Sequence, residues 1–321
     1  MKYRRLGRSA LKISELCLGT MNFGPRTSEQ ESQAILDHAI EFGINFIDTA
    51  NQYGGHLGVG ITETILGNWL AQDRARRERI VLATKVYEPM SDDINDRGLS
   101  ARHIQMACES SLKRLQVDHI DLYQFHHIDR TAPMEEIWQA ADRLIAQGKI
   151  TYLGSSNWPG WKIAQAGETA KVSHRLGLVC EQSLYNLIKR RAEMEVIPAA
   201  LEYGLGVIVW SPLAGGLLAG AASETGGRRQ SDAIRTSRAE RCEQLAAFEQ
   251  LCDDLGESPS VVALAWTLHQ PGIAAAIIGP SSKDQLEAIA HVPELALSAE
   301  VLVKLDAIFP PCGSAPEAYA W

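Results

Sequence analysis

Nowhere does this 321-residue chain approach the ~20 consecutive apolar residues that span a bilayer. Its start, Met1 to Ser9, is basic and polar where a secretory signal would be apolar. Both absences argue against membrane residence, and a cytoplasmic location is the expectation. Cysteine is sparse and dispersed, at Cys17, Cys108, Cys180, Cys242, Cys252 and Cys312, with no Cys-x-x-Cys pair and no Cys/His cluster at zinc spacing. Reduced thiols and no metal centre are therefore expected. Basic residues are outnumbered, 31 Lys and Arg against 39 Asp and Glu, and the net charge of −8 lacks the basic face that nucleic-acid phosphates demand. No Ser/Gly-rich linker or charge run divides the chain, so a single domain over residues 1–321 is predicted.

What the chain does have is punctuation and alternation. Short β-rich apolar segments alternate with stretches of helical period, the pattern of an α/β protein with a parallel sheet. Eight such segments are read as strands: Leu16–Met21, Asn45–Ala50, Ile80–Val86, Ile120–His126, Ile150–Asn157, Val179–Asn186, Val207–Leu213 and Ala274–Gly279. Eight strand–helix units need roughly 250 residues, so the length accommodates one (β/α)8 barrel with additions. Ser28 with Glu31 forms a capping-box pattern, and Gly43 stops the helix that follows. Gly148 ends another, Ser258–Pro259 opens a third, and Ser298 to Phe309 reads as a last helix. Met1 to Ser14 predicts a hairpin ahead of the barrel. Gly215 to Arg238 is long, Gly-rich and basic, and so reads as a functional or disordered βα loop. Pro310, Pro311, Gly313 and Pro316 are expected to keep the tail from forming a regular helix, although it ends in Tyr319 and Trp321.

In a parallel barrel the carboxyl ends of all strands meet on one face, so residues there converge from distant sequence positions. The second strand ends at Asp48 with Tyr53 just beyond it, the third at Lys85 and the fourth at His126. Singly, each has an ordinary use: Asp48 as a turn cap, Tyr53 as loop packing, Lys85 as an acid's partner, His126 as a satisfied strand-end histidine. Together they form a device for protonating an oxygen. Charged Asp48 and Lys85 near apolar strands are costly unless paired. An ammonium beside Tyr53 would bring its pKa of about 10 toward the working range and make it a general acid. His126 would orient and polarise a carbonyl. None of these residues forms a nucleophile–base pair.

These residues resemble the aldo-keto reductases. The likeness runs through Leu18-Gly19-Thr20-Met21, Ile47-Asp48-Thr49-Ala50 with Tyr53-Gly54, Ala83-Thr84-Lys85, Gln124-Phe125-His126, Gly154-Ser155-Ser156-Asn157, Glu181-Gln182, Trp210-Ser211-Pro212-Leu213 and Ile278-Gly279-Pro280-Ser281-Ser282, in the family's order from near residue 16 to near residue 290. The resemblance implies a (β/α)8 barrel that binds NADP(H) across its carboxyl face and reduces a carbonyl by direct hydride transfer. It implies a catalytic tetrad of Asp48, Tyr53, Lys85 and His126, with His126 preferred to His127. Gly19, Thr20, Met21 and Asp48 would adjoin the cofactor, and Ser156, Asn157 and Gln182 would meet the nicotinamide carboxamide. Trp210 would stack on the ring, and Ser211, Pro212, Leu213 and Gly215 would lead toward the pyrophosphate. Gly279, Ser281, Ser282, Lys283 and Gln285 would hold the adenosine end. Many relatives carry a Glu-Asn pair where this chain has Ala288 and Ile289. Lys283, Arg228, Arg229 and Arg235 are the candidates for the 2′-phosphate, with NAD(H) left open. The expected partner is a small carbonyl compound, keto-sugars included, because bacterial members of similar sequence act on them. A homo-oligomer stays open. The rival reading is a regulatory or assembly subunit like the potassium-channel β subunits, whose Trp210-Ser211-Pro212-Leu213 segment is similar. Retention of all four tetrad residues favours the enzyme.

Overall fold

The alternating segments form eight parallel strands closed into a barrel, in a computed structural model that describes residues 1–220 and 232–320. An antiparallel hairpin of β1 (Tyr3–Arg5) and β2 (Lys12–Ser14) precedes it. The barrel strands are β3 (Leu16–Gly19), β4 (Phe46–Asp48), β5 (Val81–Val86), β6 (Ile120–Phe125), β7 (Ile150–Ser156), β8 (Leu178–Leu184), β9 (Gly206–Trp210) and β10 (Ile273–Ile278). Each pairs in parallel with its sequence neighbour, and β10 closes on β3. This is the expected (β/α)8 barrel with an N-terminal hairpin and long βα loops.

Most of the expected segments overran the strands at their carboxyl ends, and the reason is physical. Residues there leave the ladder and bend over the barrel mouth. Thr20 donates from both its backbone N and its hydroxyl to the Asp48 carbonyl, each at 3.0 Å. Asn157 and Ser211 turn into left-handed backbone, with φ of 58° and 52°. The helix signals behaved as read. Ser28 and Glu31 close a reciprocal capping box on the helix Glu29–Glu41, and Ser258 caps Pro259–His269 with the proline in its first turn. Ser298 caps Ala299–Ile308. The tail departs from expectation, because Glu317–Ala320 is a short helix. Pro316 sits just ahead of it, where a proline's missing N–H costs nothing. Trp321 lies outside the described residues.

Along the strands, side chains alternate between the barrel interior and the helical shell. Phe46, Ala83, Leu122, Cys180 and Ile208 share an inner apolar cluster, whereas Ile47, Leu82 and Tyr123 join the larger cluster that includes the helices. Two residues above the inner set, on the same face, stand Asp48, Lys85, Gln124 and Gln182, all buried. An apolar layer thus supports a polar one. The six thiols are unpaired, Cys242 and Cys312 exposed and the rest buried. Burial first, and Asp48 second, raise the Cys17 thiol well above its ordinary range and keep it inert. Among the described residues no helix is long and apolar enough to cross a membrane.

The hairpin closes the opposite end. Leu6 is fully buried in the inner cluster, and Gly7 carries the chain through φ 54° against the bottoms of β8 and β9. A Cβ there would lie 2.3 Å from the Val179 carbonyl, 2.6 Å from that of Gly204 and 2.7 Å from Gly206 N. Gly148 has φ 68° with nothing within 4 Å of its missing Cβ. Left-handed backbone alone costs a non-glycine residue roughly 1–2 kcal/mol, and overpacking adds about 1–3 kcal/mol. Gly7→Ala is therefore expected to lower Tm clearly more than Gly148→Ala. Equal shifts in thermal denaturation would show that the close approach at Gly7 has no energetic weight.

Candidate active site

The polar layer is built around one ion pair. Lys85 Nζ lies 2.5 Å from Asp48 Oδ2, with the ammonium fully buried and the carboxylate nearly so. Such a pair is tolerated only if the remaining donors and acceptors are also satisfied. They are. The other carboxylate oxygen accepts from Gln124 Nε2 and Gln182 Nε2, both at 2.9 Å, and Gln182 also donates to Gln124 Oε1 at 3.1 Å. The two further hydrogens of the ammonium go to the Thr49 carbonyl at 2.9 Å and to the Tyr53 oxygen at 3.3 Å. Burial alone would lower the Lys85 pKa, but Asp48 and then Tyr53 outweigh it and hold it above its ordinary value. The lysine is therefore a permanent cation. An ammonium only donates, so Tyr53 accepts in this contact and its own hydrogen points away from the lysine.

His126 completes the group. Its ring meets that of Tyr53 edge to face, with centroids 6.0 Å apart. Burial first, then Lys85 and His127, push its imidazole down to about 2, so it is neutral at any working pH. Nδ1 is buried with no hydrogen-bond partner, which leaves Nε2 as the nitrogen that faces accessible space. His127 turns outward instead, with Nε2 2.9 Å from Glu88 and its side chain 40% exposed. Glu88, His126 and His127 bring one ligand atom each within 4.8 Å of one another. The imidazoles, however, are stacked with an interplanar angle of 11°, and parallel rings do not aim in-plane lone pairs at one point. Glu88 is better described as orienting His127.

The other residues singled out in the sequence fall into two sets at the same end of the barrel. At β7–β9, Asn157 links its neighbours: it donates to Ser156 Oγ at 3.0 Å and to the His126 carbonyl at 3.2 Å, and accepts from Trp210 Nε1 at 3.0 Å. Ser211, Pro212, Leu213 and Gly215 continue from there through a kinked turn in which Ser211, Ala214 and Gly215 all have positive φ. At β10, Ser281 donates from N and Oγ to Gln285 Oε1, and Ser282 caps the helix Lys283–Glu287. Gly279 is tied to the loop after β3 through Asn22, whose Nδ2 donates to its carbonyl at 2.9 Å. Thr20 lies beside Asp48 and Met21 is 40% exposed at the mouth. Gly19 has a packing reason, since a Cβ there would lie 2.5 Å from Ile277 Cγ2. Arg228 and Arg229 lie outside the described residues, and Arg235 is exposed and paired with Asp232.

Three features escaped the sequence reading. Gln124 received no role, although a buried amide two residues above Leu122 on an inward face signals a partner in the polar layer. Glu181 is fully buried and accepts from Ser155 Oγ, Ser183 Oγ and Trp158 N, yet burial pushes its carboxyl up to about 7. It anchors the chain that carries Asn157. Beside Asn157 opens a cavity of about 680 Å³, lined by loops after β6, β7 and β8 and by Ala315 and Tyr319 of the tail.

Comparison with known proteins agrees with this geometry. The sequence model of the Aldo/keto reductase family matches residues 15–309. The chain is 51% identical to the uncharacterized oxidoreductase YrpG of Bacillus subtilis (strain 168), with all of both chains covered. It is 34% identical to the versiconal hemiacetal acetate reductase of Aspergillus parasiticus, over 97% of this chain and 98% of that one. It is 32% identical to a probable voltage-gated potassium channel subunit beta of Oryza sativa subsp. japonica, over 96% of each. With a closed parallel barrel, a buried Asp48–Lys85 pair in contact with Tyr53 and a family match over nearly its whole length, the chain belongs to the aldo/keto reductase family.

Proposed function

We propose that the protein is an NADP(H)-dependent reductase of aldehyde or ketone carbonyls, in which Tyr53 is the general acid. The observation that carries this reading is the exhausted donor set of Lys85. With its hydrogens on Asp48, Thr49 and Tyr53, the lysine fixes the phenol as an acceptor on one side and directs the phenolic hydrogen to the other. A carbonyl oxygen between Tyr53 and His126 would then receive a proton from the phenol. The neutral imidazole would donate from Nε2 to the same oxygen, and the ammonium would stabilise the phenolate that remains.

The residues nearby suit a nicotinamide dinucleotide, which when bound supplies the hydride. Ser156 Oγ accepts from Asn157, so its own hydrogen is available to a carboxamide oxygen. Gln182 Oε1 takes part in no hydrogen bond among the described residues and suits a carboxamide N–H. Trp210 is held by Asn157 at the edge of this group and offers a flat apolar face. Left-handed backbone at the non-glycine residues Asn157, Ser211 and Ala214 is costly, and its concentration in one crevice supports a binding role. Lys283, at the exposed start of its helix, together with Arg228 and Arg229, would take the 2′-phosphate.

Tyr53→Phe removes the transferable proton and little volume, so kcat for aldehyde reduction should fall on the order of 10²-fold or more while NADPH still binds. Turnover close to that of the native enzyme would overturn the assignment. Because His126 is uncharged down to about pH 2, kcat/KM should show no break from this group between about pH 5 and 8. A break that disappears in His126→Gln would mean that the imidazolium is the working form.

Lys283→Ala should weaken NADPH about tenfold and leave NADH nearly unchanged, as expected when a charge-assisted contact to phosphate is lost. Fluorescence titration of both coenzymes checks this, and an equal loss for both would remove Lys283 from the phosphate site.

The tail is proposed as a wall of the substrate pocket, because Ala315 and Tyr319 line the cavity beside Asn157 and Ala315 N bonds the Met194 carbonyl at 3.2 Å. Deleting residues 312–321 should raise KM for carbonyl substrates severalfold or reorder them, with NADPH affinity and Tm little changed. An unchanged substrate profile with a lower Tm would make the tail structural.

A further inference from the structure

The cavity of about 680 Å³ falls within the range of small-ligand sites, roughly 300–1,000 Å³. Asn157 forms part of its wall and is bonded to the His126 carbonyl, so the cavity adjoins the site on its β7 side, and none of Asp48, Tyr53, Lys85 and His126 lines it. Much of the lining is apolar, with Trp158, Leu184 and Met194 among its residues, and its charges come from Arg130, Arg191 and Glu195.

Neither guanidinium group on this wall has an acid partner among the described residues. Arg190, one residue away, bonds Glu193, Asp306 and the Phe309 carbonyl. The Arg191 side chain, by contrast, makes no hydrogen bond or ion pair among the described residues, and neither does the Glu195 side chain. The Arg130 guanidinium lies over the face of Trp161, 5.8 Å from the ring centroid, and has no acid partner among the described residues. Two guanidinium groups and one carboxylate, none of them in an ion pair among the described residues, leave a net charge of +1 on the cavity wall, in a protein whose overall charge is −8.

We infer that this cavity selects carbonyl substrates that carry a carboxylate, with Arg130 and Arg191 holding the anion while the apolar wall covers the rest of the molecule. The inference rests on the reductase reading above and adds the substrate class. Guanidinium groups offer paired N–H donors that match a carboxylate's two oxygens. A monoanion balances the wall's +1, whereas a phosphate dianion would leave a charge uncompensated beside Glu195. Arg130 and Arg191 are specificity residues in this account and take no part in proton transfer.

The test compares 4-carboxybenzaldehyde with 4-methylbenzaldehyde, which is close in size and reactivity class but uncharged. In the native enzyme kcat/KM should favour the acid by about tenfold or more, and the preference should shrink as salt rises from about 0.05 to 0.5 M. In the double variant Arg130→Ala/Arg191→Ala the preference should vanish through KM, with kcat/KM for the methyl compound unchanged. Both side chains are exposed, so Tm should stay put. A native ratio at or below one, or a preference that survives in the double variant, overturns the inference while leaving the reductase reading intact. Glyceraldehyde 3-phosphate against glyceraldehyde forms a second arm, and a larger arginine-dependent preference there would overturn the choice of carboxylate. If no aldehyde is reduced, the reductase reading fails. The binding inference is then decided by calorimetry of 4-(hydroxymethyl)benzoate against 4-methylbenzyl alcohol on NADP-saturated native and double-variant protein. Arginine-dependent tighter binding of the acid upholds it, and equal binding overturns it.

Discussion

A carboxylate and an ammonium in contact inside the barrel, Asp48 and Lys85, organise everything above the apolar layer. Removing one member of such a pair costs on the order of 3–5 kcal/mol, because the other is left charged and dry. The pair is affordable here because its surroundings complete it. Gln124 and Gln182 take the second carboxylate oxygen, and Thr49 and Tyr53 take the remaining ammonium hydrogens. The same bonds that satisfy the charges set the direction of Tyr53, so structural and chemical demands meet in one network. A lysine held permanently charged beside a phenol is also what a proton donor needs if the phenolate left behind is to be stable.

Much of this was legible in the sequence for a geometric reason. Strand ends of a parallel barrel converge, and Asp48, Lys85 and His126 each sit at a strand end with a side chain whose cost of burial demands a partner. The strand count, the hairpin and the helix caps were equally readable, because caps and left-handed glycines are local chemistry. Two kinds of information were not local. Gln124 and Gln182 bond Asp48 across 76 and 134 residues of chain, and a polar strand residue does not announce which neighbour it faces. The role of Glu181 is hidden likewise, since a buried carboxylate accepting from three sides looks in sequence like any acid. The tail showed the opposite error: its prolines argued against helix, yet Pro316 is placed where a short helix tolerates it.

Strain marks the crevice as clearly as charge does. Asn157, Ser211 and Ala214 adopt left-handed backbone although each carries a side chain. Asn157 repays that conformation by bridging Trp210, Ser156 and the His126 carbonyl, and its own backbone N bonds the Gln182 carbonyl at 2.9 Å. Glu181 holds the following residue through Trp158 N. Strained positions persist only where their surroundings over-determine them, and here three strands contribute to doing so.

The barrel therefore separates two tasks by height. The polar layer is fixed by residues on strands whose inward faces rest on Phe46, Ala83, Leu122 and Cys180, so displacing any of its members disturbs both charge balance and packing. The cavity beside it is framed by loops and by the tail, and its charged side chains are exposed and form no ion pair among the described residues. A change at Arg130, Arg191 or Tyr319 removes no partner from the Asp48–Lys85 network and opens no void in the apolar layer. Side chains at the rim can thus vary while Tyr53 below keeps its geometry. Relatives named as a reductase and as a channel subunit are each about one-third identical to this chain over nearly its whole length, and a frame of this kind can carry different functions because function lies in the site and not in the fold.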